Sequence, residues 1–575
     1  MAASAWRAAG LAFLLATGAV SEAAANSLSG AYLAGRIAAS RHDYAEAAQW
    51  FAQALAGDPL NTDLRERTLT LRLLTGDLRG AAAVAGAMAQ DNPGHQFAGL
   101  ALAADALRAG DWDATVDRLR TPGSGVNPLV AQLLIGWAET GRGDAAAMET
   151  AFDALGTDGA GAAIGNYSRG LARAALGDAE GARAAFQSLA ADGAALDGRP
   201  ALALAAALEA LEQADSARQI YVGMIESGDR AEAQAEAALA RLDAGEPARP
   251  LVADAREGAA EALLTIAGAL GSDRNASLAL IYARLAVALR PDLHDGRLLV
   301  GALLAQRERY EDAVAVYEEV PRRAPQFLDA EIARADALVE IDRDDDAIAA
   351  LRSAVETKPD SLRAWLALGS TLRRAERWEE SAVAYDAAIA LIDPVERRHW
   401  PVFYERGIAH ERAGQWDLAE ADLMRALELE PDQPLVLNYL GYSWVELRRN
   451  LEEAQAMIEK AVEQRPEDGY ITDSLGWVLY RLGKYEEAAP IMERAVELAP
   501  VDPTITDHYG DVLWMVGRKL EARFQWRRAL SFEPEEKDAV RIRAKLERGL
   551  DAVLREEEAA RAAEAADASR SGDGG

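Results

Sequence analysis

The sequence predicts an all-α fold, a superhelical α-solenoid built from antiparallel helix pairs. Prolines recur every 34 or 35 residues over long stretches. A glycine precedes most of them by 24 or 25 residues, and two alanines seven residues apart stand in the second half of many units. A fixed period of this length predicts stacked helical hairpins, because one hairpin buries its apolar face only against its neighbours.

Small residues at fixed places explain how the two helices of a unit pack. Glycine and alanine allow helices to approach to the ~8–10 Å of close packing, and alanines seven apart lie on one helix face. The closing proline cannot continue the second helix. The marking prolines are Pro291, Pro325, Pro359, Pro431, Pro466, Pro500 and Pro534; the glycines are Gly301, Gly369, Gly407, Gly441, Gly476 and Gly510; the alanine pairs are Ala347/Ala354, Ala419/Ala426, Ala454/Ala461, Ala488/Ala495 and Ala522/Ala529.

The period divides the chain into six segments. We expect a signal peptide at 1–25, N-terminal repeats at 26–95, degenerate helical repeats at 96–259, eight clear units at 260–536, a C-terminal capping helix at 537–566 and a disordered tail at 567–575. A separate small helical domain is the alternative for the degenerate segment. A capping helix is expected because a solenoid must cover its exposed apolar end.

The first segment predicts export. Arg7 precedes an apolar run at 11–20, and three alanines at 23–25 supply small residues for cleavage before Asn26. The run is shorter than the ~20 residues that cross a bilayer as a helix. The alternatives are an uncleaved anchor and an alanine-rich first helix of a cytoplasmic protein. We therefore expect a periplasmic protein, with a cytoplasmic location as the alternative.

Composition excludes several classes of function. The formal net charge of −32 argues against nucleic acid, because phosphate binding needs clustered Lys and Arg. The chain has no cysteine, which excludes disulfides, thiolate nucleophiles, cysteine-bound zinc, iron–sulfur clusters and a lipidated cysteine. We expect no transmembrane segment after signal cleavage, and peripheral association with the outer membrane stays open.

No motif indicates catalysis. The chain contains no G-x-S-x-G, G-x-G-x-x-G, phosphate-binding P-loop or H-E-x-x-H pattern, and its six histidines are scattered among different repeats. The acidic run at 342–346 lacks the glycine and glutamate of a calcium loop and suits a helix N-terminus instead. We expect no enzyme, no metal and no cofactor. The alternative is a catalytic site within the degenerate segment.

The segment 474–489, SLGWVLYRLGKYEEAA, together with AWLALG at 364–369, carries a recognisable pattern. It resembles the tetratricopeptide repeat family, whose pattern is W-x2-L-G-x2-Y followed by A-x3-F, A and P over 34 residues. The resemblance implies a superhelix whose first helices line a groove that binds a protein or peptide.

The resemblance also assigns groove positions to this sequence. Aromatic and arginine residues at those positions are typical of protein-binding surfaces. The partner-binding residues implied are Arg363, Arg373, Arg374, Tyr404, Arg412, Asn438, Tyr442, Tyr470, Trp477, Tyr480, Arg481 and Trp514. The alternative is that some of these rings fill gaps between repeats.

Residues 437–514 resemble a subgroup, the long exported tetratricopeptide repeat adaptors of Gram-negative bacteria. Some of these bind a carboxy-terminal processing protease and present cell-wall hydrolases to it. The resemblance implies a non-enzymatic scaffold or adaptor of the cell envelope that holds a partner protein in its groove. The alternative is a scaffold of a polysaccharide-export or secretion machine. Known adaptors of this kind are often lipoproteins, whereas this chain has no cysteine to acylate.

Overall fold

The computed structural model describes residues 27–157, 159–191, 196–271 and 275–560. The predicted signal peptide and the predicted tail lie outside these residues. The described residues form helices and no strand, as the sequence predicts. None of the helices described here has the length and apolar character that crossing a membrane requires. The chain divides into two compact units, the first ending at Pro359 and the second beginning at Asp360.

The first unit contains nineteen α-helices within its described residues. They are α1 (Leu28–Ser40), α2 (Tyr44–Gly57), α3 (Thr62–Thr75), α4 (Leu78–Asp91), α5 (Gln96–Ala109), α6 (Trp112–Arg120), α7 (Pro128–Arg142), α8 (Ala145–Asp153), α9 (Gly159–Ala175), α10 (Ala179–Ala191), α11 (Gly198–Ala210), α12 (Ala214–Ser227), α13 (Glu232–Asp243), α14 (Ala255–Ala269), α15 (Ala276–Leu289), α16 (His294–Ala305), α17 (Tyr310–Glu318), α18 (Phe327–Val339) and α19 (Asp344–Thr357). Successive helices pack against one another as hairpins, and α13 packs against α12 as an additional helix.

The second unit begins with five hairpins. They are α20 (Leu362–Arg374) with α21 (Trp378–Ala390), α22 (Trp400–Arg412) with α23 (Trp416–Leu429), α24 (Pro434–Glu446) with α25 (Leu451–Gln464), α26 (Gly469–Arg481) with α27 (Tyr485–Leu498), and α28 (Pro503–Met515) with α29 (Lys519–Ser531). Two further helices follow, α30 (Glu536–Arg548) and α31 (550–560). A 3-10 turn at Arg397–His399 precedes α22 and lengthens the link between the first two hairpins.

The predicted small residues lie where the two helices of a hairpin touch. All ten alanines of the seven-apart pairs have no exposed surface. Each predicted glycine of a first helix faces a large side chain 16 or 17 residues later, in the second helix of the same hairpin. These partners, in chain order, are Tyr317, Tyr385, Leu423, Ile458, Met492 and Trp526. A glycine and a bulky side chain therefore form one packing unit that recurs along the chain.

The turns between paired helices take left-handed backbone whether or not a glycine stands there. Gly414, Gly483 and Gly517 take a left-handed backbone conformation, with φ between 74° and 85°. At the same place in other hairpins Glu308 and Glu376 take it as well, with φ of 59° and 57°. Left-handed backbone is unfavourable for residues that carry a Cβ. The turn geometry is therefore set by the hairpin and not by glycine alone.

The first unit departs from simple stacking of neighbours. Helices α14 and α15 contact α3, α5, α7 and α9, which lie far earlier in the chain. Gly258 of α14 permits this approach, because an added Cβ would lie 2.0 Å from the ring of the fully buried Trp137. Glu261 of the same helix accepts hydrogen bonds from Tyr167 at 2.9 Å and from Arg199 at 2.6 Å. Buried polar contacts thus join hairpins that are distant in sequence.

The capping segment differs from its prediction. A single helix was predicted over 537–566, but α30 ends at Arg548 and α31 begins at residue 550, with Gly549 between them. Gly549 has φ 82° and ψ 155°, and an added Cβ would lie 2.8 Å from the Trp514 ring. The helix is interrupted at Gly549 because this backbone conformation and this close approach both require glycine. Residues 561–566 lie outside the described residues.

Replacing Gly510 with alanine should destabilise the second unit. The new Cβ would stand 2.5 Å from Cδ1 of Trp526, whose ring is fully buried. Overpacking of this kind costs about 1–3 kcal/mol. The matched control is Gly86→Ala, a helical position with open space around the new Cβ, where the free energy of unfolding should stay equal or rise slightly. Chemical denaturation followed by circular dichroism measures both, and equal stabilities for the two variants would contradict this packing unit.

Candidate functional site

The first helices of the second unit form one continuous surface, here called the first-helix wall (α20, α22, α24, α26 and α28). Helix α20 contacts α22, and α26 contacts both α24 and α28. The remaining junction is made by Tyr404 of α22 and Tyr439 of α24, whose rings meet edge to face at 5.9 Å. Side chains on this wall therefore come from different repeats but share one surface.

A cavity of about 570 Å³ lies on the first-helix wall at α22, α24 and α26. Four residues predicted for the groove line it: Arg412, Asn438, Tyr442 and Tyr470. The sequence did not assign Glu411, Trp416 and Tyr439, which line it too. The register of the repeat could have found Tyr439, because it stands three residues before the predicted groove residue Tyr442 and shares its helix face.

The cavity combines an exposed ring with partly buried polar groups. The Tyr470 side chain is 63% exposed. Asn438 contributes a buried Oδ1 that accepts no hydrogen bond from the described residues. The Tyr439 hydroxyl donates to Glu411 at 3.1 Å. The cavity therefore offers an aromatic platform and an unused hydrogen-bond acceptor.

Burial and nearby carboxylates raise the pKa of two phenols that line this cavity. Burial raises the pKa of Tyr442, and the nearby carboxylates of Glu446 and Asp473 raise it further. Burial also raises the pKa of Tyr439, with Glu411 as the next contributor. Both hydroxyls are thus neutral hydrogen-bonding groups. Apart from Arg412 and its partner Glu411, the cavity presents its charge mainly as carboxylates.

The other predicted residues on α20, α22 and α26 lie outside the cavity lining. Arg363 and Arg374 are exposed, and Arg373 forms an ion pair with Glu405 at 2.7 Å. The half-buried Tyr404 packs against Trp400 at 6.0 Å as well as against Tyr439. Arg481 donates to the carbonyl of Val445 at 3.5 Å. Arg373, Tyr404 and Arg481 therefore contact side chains or backbone of neighbouring helices.

Three predicted groove residues are buried and do not line an open surface. Trp477, Tyr480 and Trp514 are 6%, 8% and 7% exposed. The Trp477 ring stacks on Tyr480 at 4.6 Å and on His508 at 3.9 Å, and its Nε1 donates to Glu446 at 2.6 Å. The groove assignment of these three is corrected. The alternative, that some rings fill gaps between repeats, describes Trp477 and Tyr480.

Helix α30 covers this buried part of the first-helix wall. Lys545 donates to Asp507 at 2.6 Å and to Asp511 at 2.7 Å, and Arg541 lies 3.4 Å from Asp511. The Trp514 Nε1 donates to Asp551 of α31 at 3.1 Å. The repeat register places all the wall positions on one face but contains no information about a non-repeat helix that packs over them.

The covered part of the wall contains a group of buried carboxylates, here called the acidic triad (Asp473, Asp507 and Asp511). They are 6%, 8% and 0% exposed. His508 lies 3.0 Å from Asp473, and the Lys545 ammonium has no exposed surface. No three His, Asp or Glu side chains of the described residues are arranged to hold a metal ion. The carboxylates are balanced instead by basic side chains.

His508 should make the stability of the second unit depend on pH. Burial alone lowers the pKa of His508, but the charges of Asp473, Asp507 and Asp511 outweigh it, and the pKa is raised. A raised pKa means that stabilisation is fully present below the unfolded pKa of ~6.5 and is lost as pH rises through the folded value. We expect the stability difference between the wild type and His508→Gln to be largest near pH 6 and to shrink as the pH rises through the raised pKa of the folded state.

Denaturation curves at a series of pH values measure this difference. The control is His42→Gln, because His42 is exposed and belongs to the first unit, so that its replacement should leave the stability of the second unit unchanged. A difference between the wild type and His508→Gln that does not change with pH would show that the ion pair with Asp473 is not formed.

The family described as Tetratricopeptide repeat matches residues 332–395, 404–450 and 448–503. A TPR repeat-containing protein of Pseudomonas aeruginosa is 36% identical over 83 residues, a match that covers 14% of this chain and only 14% of that protein's length.

Solved structures similar to this chain include a chain of an APC/C hetero-tetramer, with 14% identity, a TM-score of 0.35 and coverage of 90% of this chain and 96% of that one. PilW, a type IV pilus biogenesis factor, shows 23% identity, a TM-score of 0.33 and coverage of 38% and 98%. The family match falls on hairpins that carry the glycine and alanine packing unit. Over the matched residues the chain consists of tetratricopeptide repeats.

Proposed function

We propose that this protein is a non-enzymatic scaffold or adaptor that holds a partner protein against the first-helix wall. The observation that carries the proposal is the cavity of about 570 Å³ at α22, α24 and α26. Its volume is within the ~300–1,000 Å³ of typical ligand sites. An exposed tyrosine, an arginine and a buried unused acceptor are the kind of groups that concentrate binding energy in protein interfaces.

The chemistry of the cavity favours a polypeptide segment as the occupant. Asn438 Oδ1 needs a donor, which a backbone N–H supplies. The carboxylates of Glu411 and Glu446 suit basic side chains of the partner, and the Tyr470 ring supplies contact area. Leaving a buried acceptor without a hydrogen bond costs free energy. A partner that donates a hydrogen bond to it therefore binds more tightly.

We place this scaffold in the cell envelope and propose that it presents its partner to a carboxy-terminal processing protease. Residues 437–514, which resemble the exported adaptors, support this role. The apolar run at 11–20 followed by small residues supports export.

Substituting the cavity residues should remove partner binding. Affinity capture with the wild-type chain from a periplasmic extract is expected to recover a stoichiometric partner protein. A Tyr470→Ala and Asn438→Ala double variant should bind that purified partner about ten-fold or more weakly. Binding can be measured by calorimetry.

The matched control is Phe524→Ala, because Phe524 is 58% exposed on α29 and does not line the cavity. This variant should bind the partner as the wild type does. Unchanged binding by the double variant, with helicity intact, would place the partner elsewhere and contradict the cavity assignment.

The proposed location has its own test. N-terminal sequencing of the mature chain from cells should begin near Asn26, because the small residues before it suit signal cleavage. A mature chain that begins at Met1 and is recovered with the cytoplasm would contradict export.

A further inference from the structure

The acidic triad requires basic partners from outside the repeats. Asp473, Asp507 and Asp511 lie on α26 and α28, where His508 is the one basic side chain of these two helices that contacts them. Burying a carboxylate without a counter-charge is strongly unfavourable. Asp507 Oδ1 is buried and still accepts no hydrogen bond within the described residues. This part of the wall is therefore built to receive cations.

Helix α30 supplies those cations in a defined pattern. Arg541 and Lys545 are four residues apart and lie on one face of the helix. Between them, Ile542 is 1% exposed and belongs to the same apolar core as Trp514 and Trp526. The thirteen residues of α30 include five basic and three acidic side chains, although the chain as a whole carries a net charge of −32. This is an amphipathic basic helix in an acidic protein.

The covered section of the wall adjoins the open cavity. Asp473 lines the cavity and also belongs to the acidic triad, where it lies 3.0 Å from His508. Glu446 of the cavity accepts a hydrogen bond from Nε1 of the buried Trp477 at 2.6 Å. The carbonyl of Leu546 in α30 accepts a hydrogen bond from Arg523 of α29 at 2.7 Å. The cavity and the covered section are thus adjoining parts of one groove, with α30 occupying the second part.

We propose that the groove of the second unit is a binding site for an amphipathic helix carrying two basic residues four apart with an apolar residue between them, and that α30 is its resident occupant. A partner helix with the same pattern displaces α30 and pairs its own cations with Asp507 and Asp511. This inference rests on the proposed function and names its partner class. The helix-in-groove mode buries an apolar face and leaves charges to select the ligand.

The attachment of α30 suits displacement. Residues 532–535 link it to α29, and Glu533 in this link takes a left-handed conformation with φ 53°. Its outer face is exposed, with Val540 56% accessible. At the other end, Gly549 separates it from α31. The resident helix is therefore held by side-chain contacts between a four-residue link and a glycine.

The test uses the full chain and a fluorescent peptide with the sequence of residues 535–560. The chain variant Lys545→Gln weakens the resident helix and leaves the wall unchanged. It should bind the peptide at least ten-fold more tightly than the wild type does. Adding Asp511→Asn to this variant should remove the increase in peptide affinity. A peptide carrying Arg541→Gln and Lys545→Gln should bind neither chain.

A second chain variant controls for the possibility that Lys545→Gln misfolds. Ile542→Ala weakens the apolar contact of α30 without changing any charge, and it should also increase peptide binding. Absence of a gain in both variants, each with wild-type helicity, would show that α30 is a fixed structural cap. If the increased peptide affinity persists after Asp511→Asn, or with the peptide that lacks both cations, the peptide binds elsewhere. Either result overturns the inference, whereas the proposed function is tested separately by Tyr470 and Asn438.

Discussion

Close contact between the two helices of each hairpin is the constraint on which the rest of the structure depends. A glycine in the first helix faces a large side chain in the second, and alanines with no exposed surface lie beside this contact. Only small residues permit helices to approach so closely. Because the contact recurs in successive hairpins, it brings first helices side by side and creates a wall with side chains from several repeats. The composition, rich in alanine and poor in aromatic residues, follows from this requirement.

Charge then divides the wall of the second unit into two parts. Around α22 and α24, carboxylates and phenols are partly open and surround a cavity. Around α26 and α28, the carboxylates of the acidic triad are buried and are paired with His508, Lys545 and Arg541. A buried ion pair contributes little net stability compared with apolar packing, but it selects strongly against ligands that lack the matching charge. The groove therefore has an open part around the cavity and a covered part, where the buried carboxylates select an occupant that carries cations.

The sequence predicted much of this architecture because the repeat is a local physical pattern. The glycines from Gly301 to Gly510 and the alanine pairs lie at the predicted helix contacts. Four of the predicted groove residues line the cavity because the register of a helix fixes which side chains share a face.

The sequence could not predict features that depend on contacts outside the repeat. Trp477, Tyr480 and Trp514 stand at groove positions but are buried, since α30 and neighbouring rings cover them. The pairing of Lys545 with the acidic triad joins a non-repeat helix to the wall, and no periodicity encodes it. In the first unit, contacts of α14 with α7 depend on a turn of the chain that spans many repeats.

The central claim is that α30 lies against the first-helix wall in the free protein. The chain contains no cysteine, so that two introduced cysteines can carry spin labels without background. Val540→Cys on α30 and Leu435→Cys on α24 are both exposed positions, at 56% and 36% accessibility. Pulsed electron spin resonance on this doubly labelled chain should give one narrow distance distribution. A broad distribution that extends to the long distances of a detached segment would contradict the account.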